Sequence, residues 1–533
     1  SINLVLQGYA YIGSFAASNR AEKLLRRVFK LGREGKTDIK LNTASFNIVL
    51  NSWCNSGAPI ENVNRVFDWM VRLHESGGAD VMPDHISFTT LIGALSKSRN
   101  QGAAWKADKV LRQMIDLCRK GESNVIPDTI TFTSVIDAWS KSGKKDAAQK
   151  AELILKEMED LSKDGVIAVN PNTITYNTVI NAWANSNHIK SAENAERILT
   201  DMESSKLGHV QPNTRSYNTV IKAFAISGKH NAFQKAEGVL KRMESMHRMG
   251  NMDVKPDSIS YNTVIHALAQ CRESSSVQKA EAIFKRMEQR YQEGEADMKP
   301  TVVTFNAILN VCSKSRDSLA TERADAILEH MLQLHATGVY DVKPDTKTFS
   351  IVANGWAKSN KPRKAQKAKD ILCQMINSFE GGNEDAKPNI AIYKAVLNAC
   401  AYTFGCKEEK REALDIANCT MQDLRNSNFA FADHNTYEIL LKLYGRLIPV
   451  GSERTKAVTS EFNRCRKDGQ VSDSVLSSLR KIVGSESAFN AILFCQGLKK
   501  KSGRITIDAI PSEWKCNVNY SRHSRGGNRI ITR

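Results

Sequence analysis

The stretch that decides the fold reads PDTITFTSVIDAWSKSG over residues 127–143 and PNTITYNTVINAWANS over residues 171–186. The second copy begins 44 residues after the first and keeps the proline, the aromatic residue and the tryptophan in register. Self-similarity at a fixed period of this length is typical of a repeat protein. The chain is therefore predicted to consist of one unit that recurs.

One apolar position of the unit shows how far the repetition extends. It is occupied in turn by Trp53, Leu95, Trp139, Trp183, Phe224, Leu268, Cys312, Trp356 and Cys400. The intervals between these residues are 42, 44, 44, 41, 44, 44, 44 and 44. Insertions and deletions have thus hardly disturbed the register.

Within a unit, the apolar residues have helical spacing. Tyr261, Ile265 and Leu268 fall on one helical face, and Ala280 and Met287 repeat that spacing after a polar break. A pair of amphipathic helices cannot bury its apolar stripe alone, so successive pairs must stack. The predicted fold is all-α, a right-handed α-solenoid superhelix of stacked helix-turn-helix repeats with a concave groove.

We expect one architectural domain with four parts. These are a partial N-terminal repeat, ten helical-hairpin repeats, C-terminal capping helices and a basic, mobile tail, at residues 1–42, 43–473, 474–498 and 499–533. The chain begins with serine in what aligns with the middle of a first helix, so we expect the natural start to be missing. A presequence would lie in that missing part.

Composition limits the function classes. The 533 residues carry a formal net charge of +18, which favours a polyanionic partner such as a nucleic acid. No stretch approaches the ~18 uninterrupted apolar residues of a membrane span. The 11 cysteines form no CxxC pair or metal-spaced cluster, so a structural role in a reducing compartment competes with a redox or metal role.

The two quoted motifs, with PNTRSYNTVIKAFAISG at 212–228 and PDSISYNTVIHALAQ at 256–270, resemble pentatricopeptide repeats. The resemblance covers roughly residues 1–473 and departs from the family in its longer unit. It implies single-stranded RNA binding with one nucleotide per repeat, read by two or three side chains. The principal readers are the polar residue after the aromatic residue and the last residue of the same repeat.

Transferred onto this sequence, the resemblance gives nine reader pairs: Asn3 with Asn42, Asn47 with Asp84, Thr89 with Asp128, Thr133 with Asn172, Asn177 with Asn213, Asn218 with Asp257, Asn262 with Thr301, Asn306 with Asp345, and Ser350 with Asn389. Lys394 with Asp433 and Glu438 with Asp473 fall outside the usual reader residues. The family's rules then give pyrimidine, U, G, A, pyrimidine, U, pyrimidine, U and A from the 5′ end.

The residues themselves support the first reader position and leave the second open. Asparagine is a weak helix former, yet Asn177, Asn218 and Asn262 recur one turn inside a helix. Such an amide has the donor and acceptor needed to contact a base, although it could instead bridge neighbouring repeats. The second position, just before a helix, is also that of an ordinary N-cap.

Two further rows of residues belong to the predicted interface. The resemblance implies that aliphatic side chains sandwich each base, at Ile86, Ile130, Ile174, Ile259 and Val303; packing between repeats is the alternative. Four lysines could neutralise successive phosphates or simply complement helix dipoles, namely Lys97, Lys141, Lys314 and Lys358.

No motif for a zinc deaminase, metal nuclease or phosphate-binding loop occurs in the sequence, so we expect no catalytic residues, metal or cofactor. The leading hypothesis is a monomeric protein of the mitochondrial or plastid matrix that binds an organellar transcript. It would act in stabilisation, processing or translation, with RNA-processing enzymes or the organellar ribosome as further partners. The alternatives are a helical-repeat protein scaffold or ribosome-associated structural protein, and an RNA-processing enzyme whose catalytic domain lies in the missing part.

Overall fold

The computed structural model describes residues 2–76, 80–98, 100, 102–121, 123–164, 167, 169–205, 208–337, 342–494 and 506–518. Over these residues the chain forms α-helices, a few one-turn 3-10 helices and no strand, which confirms the all-α class. The chain divides into two compact units, residues 1–267 and 268–533.

The helices of the first unit come in pairs joined by short turns. They are α1 Ile2–Ile12, α2 Phe15–Arg33, α3 Thr43–Asn55, α4 Ile60–Glu75, α5 His85–Lys97, α6 Ala103–Arg119, α7 Thr129–Lys141, α8 Ala147–Lys163, α9 Thr173–Ala184, α10 Ser191–Ser204, α11 Thr214–Ile226, α12 Ala232–Arg248 and α13 Ser258–Cys271, which runs past the unit boundary.

The second unit continues the pairing. Its helices are α14 Ser276–Gln292, α15 Val302–Lys314, α16 Ala320–Thr337, α17 Thr346–Lys358, α18 Lys364–Glu380, α19 Ile390–Ala401, α20 Lys407–Asn426, α21 His434–Leu447, α22 Ser452–Lys467, α23 Asp473–Val483 and α24 Glu486–Phe494.

Helix contacts within each unit define a two-layer stack. The first helices of successive pairs contact one another in series, from α1 to α11 in the first unit and from α15 to α23 in the second. Where both helices of a pair lie in one unit, the second helix packs on its partner and, in most pairs, on the next first helix, as α8 does on α7 and α9. This pattern confirms a helical-repeat solenoid, while the right-handed superhelix stays a prediction.

The repeated polar residue before each first helix explains where these helices begin. Asp128 is the N-cap of α7, and its carboxylate accepts the backbone N–H of Thr131 at 2.8 Å. The Thr131 hydroxyl in turn accepts the backbone N–H of Asp128, which completes a capping box. The same reciprocal pair starts α3, α5, α9, α11, α17 and α21.

The periodic apolar residues form the core between the layers. In the pair α9 and α10, Ile180, Trp183, Leu199 and Met202 are all at most 3% exposed. The Trp183 indole also donates to Glu152 of the preceding pair at 2.7 Å. Burial of each apolar stripe against the neighbouring pair therefore holds successive repeats together.

The C-terminal segment departs from the sequence-based expectation. Residues 506–518 were expected to belong to a mobile tail, but Trp514 is buried, packs edge-to-face on Phe462 and lies under the Arg466 guanidinium. Its carbonyl accepts the backbone N–H of Val471 at 2.8 Å. The tail prediction is therefore wrong for 506–518; the rest of 499–533 and the end of the expected capping segment, 495–498, lie outside the described residues.

The cysteines in the described ranges are free thiols, and some of them belong to the core. Cys312 and Cys400 are buried at the inner apolar position, and this burial raises the pKa of each thiol to about 12. Ten cysteines fall within the described ranges and all are free thiols. No helix in those ranges is both long enough and apolar enough to cross a membrane.

Candidate nucleic-acid interface

A recess of about 310 Å³ lies between the first helices α7 and α9. Thr133 and Asn172, a predicted reader pair, line it together with Ile130 and Ile174, two predicted base-stacking residues. The sequence spacing thus brings four residues of one predicted nucleotide site to one place. Ile130 of α7 and Ile174 of α9 thus give the recess apolar surface from both helices beside its polar groups, a combination that suits a planar heterocycle.

A second recess repeats this arrangement between α11 and α13. It has a volume of about 650 Å³ and is lined by the reader pair Asn218 and Asp257 and by Ile259. Arg215 takes the place of the aliphatic residue on one wall, and Lys222 adds a second cation. This site therefore combines base-reading groups with charges that suit a phosphate.

The aliphatic row is exposed in both units. Isoleucine and valine are normally among the most buried residue types. Here the exposed fractions are 48% for Ile86, 64% for Ile130, 66% for Ile174, 61% for Ile259 and 64% for Val303. Packing between repeats therefore does not account for them, and a row of apolar side chains is left available to a ligand.

The members of several reader pairs contact each other directly. In each case the Nδ2 of the first residue donates to an Oδ1 of the second, at 2.9 Å for Asn47 and Asp84, 3.2 Å for Asn177 and Asn213, 3.1 Å for Asn218 and Asp257, and 3.2 Å for Asn306 and Asp345. The amides therefore do bridge neighbouring repeats. Such a bridge uses one donor of the amide and leaves its second N–H for another acceptor.

The second member of a pair is also an N-cap, as its alternative interpretation required. Asp84, Asn213 and Asp345 each accept the backbone N–H three residues later through the same Oδ1 that faces the partner amide. A capping residue has a fixed side-chain orientation, and so its remaining polar group points in a defined direction. Capping and base reading are thus compatible in one side chain.

Threonine and serine readers are held differently. The hydroxyls of Thr89 and Thr133 lie 2.8 and 2.9 Å from the hydroxyls of Thr131 and Thr175. Ser350 donates to the backbone oxygen of its own helix at 2.7 Å.

The outer reader residues also hydrogen-bond to the protein or cap a helix. Asn3 accepts a hydrogen bond from Ser45, and the second reader Asn42 caps α3 by accepting the backbone N–H of the same Ser45. Asn389 caps α19. Asn262 and Thr301 belong to different units, so their pairing stays a prediction.

The lysine row has mixed surroundings. Lys97, Lys141, Lys314 and Lys358 are the last residues of α5, α7, α15 and α17, where the helix-dipole interpretation also places a cation. Lys141 forms an ion pair with Asp137 one turn earlier. In the second unit, burial lowers the pKa of Lys314, and the positive charges of Arg272 and Lys358 lower it further.

Three residues of the second unit that the sequence analysis missed also suit an RNA ligand. Arg272 is exposed and lies within electrostatic reach of Lys314. Further along the same unit, Tyr402 is 43% exposed and the Arg446 guanidinium stacks on its ring at 4.2 Å. Tyr402 and Arg446 stand two residues after an inner apolar position, the same register as the lysines, and that register could have found them. A cation row and a stacking aromatic residue are both suited to RNA.

No group of three or more His, Cys, Asp or Glu side chains that could hold a metal ion occurs among the residues whose structure is described. The reader residues of the two recesses are amides, a hydroxyl and a capping carboxylate that already hydrogen-bond to the protein, and Arg215 and Lys222 add positive charge to the second recess. What this arrangement can do is bind and orient a ligand.

Comparison with protein families agrees with the geometry. The model of the pentatricopeptide repeat domain matches residues 120–186 and 245–315, and the model of the PPR repeat family matches residues 171–226. No curated protein matches the chain. These matches place pentatricopeptide repeats in residues 120–226 and 245–315, and together with the repeated helical pairs they indicate a pentatricopeptide repeat protein, which belongs to a class of generally non-enzymatic RNA binders.

Proposed function

We propose that the repeats bind successive nucleotides of one single-stranded RNA. The observation that carries the proposal is the recess between α7 and α9, which the reader pair Thr133 and Asn172 lines together with the exposed side chains of Ile130 and Ile174. A base stacked between two aliphatic walls presents its edge to polar groups at the floor. Unpaired bases are recognised in this way, by stacking and edge hydrogen bonds.

The exposed aliphatic side chains favour RNA over a peptide ligand when taken with the charge. Each wall belongs to one repeat, so the spacing of the walls follows the helix pairs. The chain as a whole carries a net charge of +18, which supplies the sequence-independent part of the affinity by releasing counterions from the RNA.

The proposed mechanism is occupancy. A bound protein shields nine or so nucleotides from a nuclease, keeps them unpaired, or marks them for a separate enzyme, and none of these requires catalysis by this chain. The organellar matrix is proposed on the family's behaviour. Fractionation of cells that express the tagged natural protein tests it, and recovery in the cytosol would contradict it.

Binding is tested with fluorescence polarisation on a short RNA. The probe is 5′-CUGACUCUA-3′, which follows the reader pairs from Asn3 to Asn389, and the controls are an RNA of the same composition in scrambled order and the matching DNA. At about 50 and 200 mM salt, the proposal expects at least a tenfold preference for the ordered RNA at both concentrations. Equal binding to all three that collapses at the higher salt would contradict it and favour the protein-scaffold alternative.

A further inference from the structure

A buried hydroxyl recurs beside the reader positions. The third residue of the first helix is serine or threonine in most repeats, and its side chain is 0% exposed at Ser45, Ser87, Thr131, Thr175, Ser216, Ser260, Thr304, Thr348 and Thr436. A capping box explains a hydroxyl there. It does not explain a second contact that several of these hydroxyls make.

The second contact reaches the reader amide of the preceding repeat. The hydroxyl donates to the Oδ1 of that asparagine, at 2.8 Å from Ser45 to Asn3, 2.6 Å from Ser87 to Asn47, 2.6 Å from Ser260 to Asn218, and 2.8 Å from Thr348 to Asn306. These distances are those of strong O–H···O hydrogen bonds.

Together the two neighbours fix which way the amide points. A carboxylate is only an acceptor, so the side of Asn218 that faces Asp257 at 3.1 Å must be its Nδ2. The Ser260 hydroxyl lies 2.6 Å from Oδ1 of Asn218 and 2.8 Å from Oδ1 of Asp257, but the Asp257 oxygen already receives N–H groups from Asn218 and Ser260. The hydroxyl proton is therefore best placed on Asn218, and a flipped amide would lose both bonds.

The groups that remain define what the site can accept. Asn218 keeps one N–H donor, and Asp257 keeps its second carboxylate oxygen as an acceptor. Uracil offers a carbonyl acceptor beside the N3–H donor, so both contacts can form. Cytosine has an unprotonated N3, which would oppose the carboxylate acceptor to acceptor.

We propose that Ser87, Ser260 and Thr348 are positioning residues that set a preference for uracil over cytosine at the repeats of Asn47, Asn218 and Asn306. The inference rests on the proposed function, because it needs a base in the recess. It assigns to the hydroxyl a role in selectivity in addition to its role in capping.

Ser216 provides a matched control in the same unit. It is equally buried and forms the same capping box, since its hydroxyl lies 3.1 Å from Oδ1 of Asn213 and accepts the Asn213 N–H at 3.1 Å. Oδ1 of the reader Asn177, however, is buried and has no hydrogen-bond partner in the described part of the chain. Removing this hydroxyl therefore disturbs capping without releasing a reader amide.

The experiment measures the affinity ratio for U over C at the sixth nucleotide of 5′-CUGACUCUA-3′, the position of Asn218. Wild type, Ser260→Ala, Ser260→Thr and Ser216→Ala are compared as full chains, with circular dichroism melts for each. We expect Ser260→Ala to reduce the ratio about fivefold, as expected for loss of one orienting hydrogen bond. Ser260→Thr and Ser216→Ala should keep the wild-type ratio, although Ser216→Ala melts earlier than wild type.

The outcomes separate the two proposals. If wild type discriminates and Ser260→Ala discriminates equally well, the positioning role is wrong while RNA reading stands. An equal loss of discrimination in Ser216→Ala would also overturn it, because capping alone would then explain the effect. If wild type shows no preference at any nucleotide, the proposed function itself fails.

Discussion

Replacing Ile174 by alanine should weaken RNA binding without destabilising the protein. Ile174 is 66% exposed and lines the recess that holds Thr133 and Asn172. Because the side chain has little contact with the protein, the substitution should change the free energy of unfolding by no more than about 0.5 kcal/mol. Its apolar surface should instead become buried only when a base stacks on it.

The size of the effect follows from that exposed surface. Burying a whole isoleucine side chain is worth about 1.5–3 kcal/mol, so the exposed two-thirds of Ile174 can contribute about 1–2 kcal/mol when covered. Since 1.4 kcal/mol corresponds to a tenfold change in affinity, Ile174→Ala should raise the Kd for the ordered RNA by roughly 5- to 30-fold.

The assay is fluorescence polarisation at fixed salt, with thermal melts of the same samples. Ile189→Ala is the matched control, because Ile189 belongs to the same helical pair and is 77% exposed but lies in the turn between α9 and α10. It should bind as wild type does. The reasoning is refuted if Ile174→Ala binds like the control, or if it lowers the melting temperature by several degrees, which would show that Ile174 packs between repeats after all.

Three further predictions concern charge and stability. Burial would raise the pKa of Glu22, but hydrogen bonds and charges from its arginine partners, chiefly Arg65, outweigh burial and hold the pKa below its ordinary value. Replacing Glu22 by glutamine should therefore lower the free energy of unfolding in urea by about 2 kcal/mol at neutral pH. The difference in unfolding free energy between wild type and Glu22→Gln should persist above the unfolded-state pKa of Glu22 and vanish as pH falls through its folded-state pKa. A difference that stays constant down to about pH 2 would contradict this prediction. Lys314→Ala and Lys358→Ala should each weaken binding equally for all RNA sequences and reduce the slope of log K against log salt by about 1, whereas an unchanged slope would exclude phosphate contacts. Trp514→Ala should destabilise the second unit by about 3 kcal/mol, seen in circular dichroism melts, and an unchanged melt would mean that 506–518 is not docked.

The fold could be predicted from the sequence because its signals are local and recur. The register of Trp139 and Trp183, the apolar spacing within each helix and the N-cap residues all act within one unit. Each repeat then supplies the same evidence again. Stacking follows from these signals, since a single amphipathic pair leaves its apolar face uncovered.

The aliphatic row needed the structure because one position in sequence fits two environments. Ile130 and Ile174 each stand two residues before an aromatic residue, Phe132 or Tyr176, and their spacing is equally compatible with packing between repeats. Only the exposed fraction distinguishes the two interpretations. The same holds for the amides, whose contacts with Asp84 and Asp257 depend on how adjacent helices are offset.

Ser260 and Trp514 show which contacts a repeat pattern does not predict. The position of Ser260 holds serine or threonine in every quoted motif, but the contact of Ser260 with Asn218 crosses to another repeat, and no spacing within one motif shows it. The docking of Trp514 was missed for the opposite reason. It occurs once, outside the periodic region, in a segment whose basic composition suggested solvent exposure, and no periodic signal marks its contact with Phe462.

The measurement that tests the central claim most directly is a change of reader matched by a change of nucleotide. Thr89→Asn converts the pair with Asp128 into the pair that Asn47 forms with Asp84, and Thr131 already places a hydroxyl beside the position. Wild type and variant are titrated against nine RNAs, each altered at a single nucleotide. Recognition by successive repeats predicts that only the third nucleotide changes its preference, from G to U, by tenfold or more. An unchanged profile, or a uniform loss at all nine positions, would contradict reading of one base per repeat.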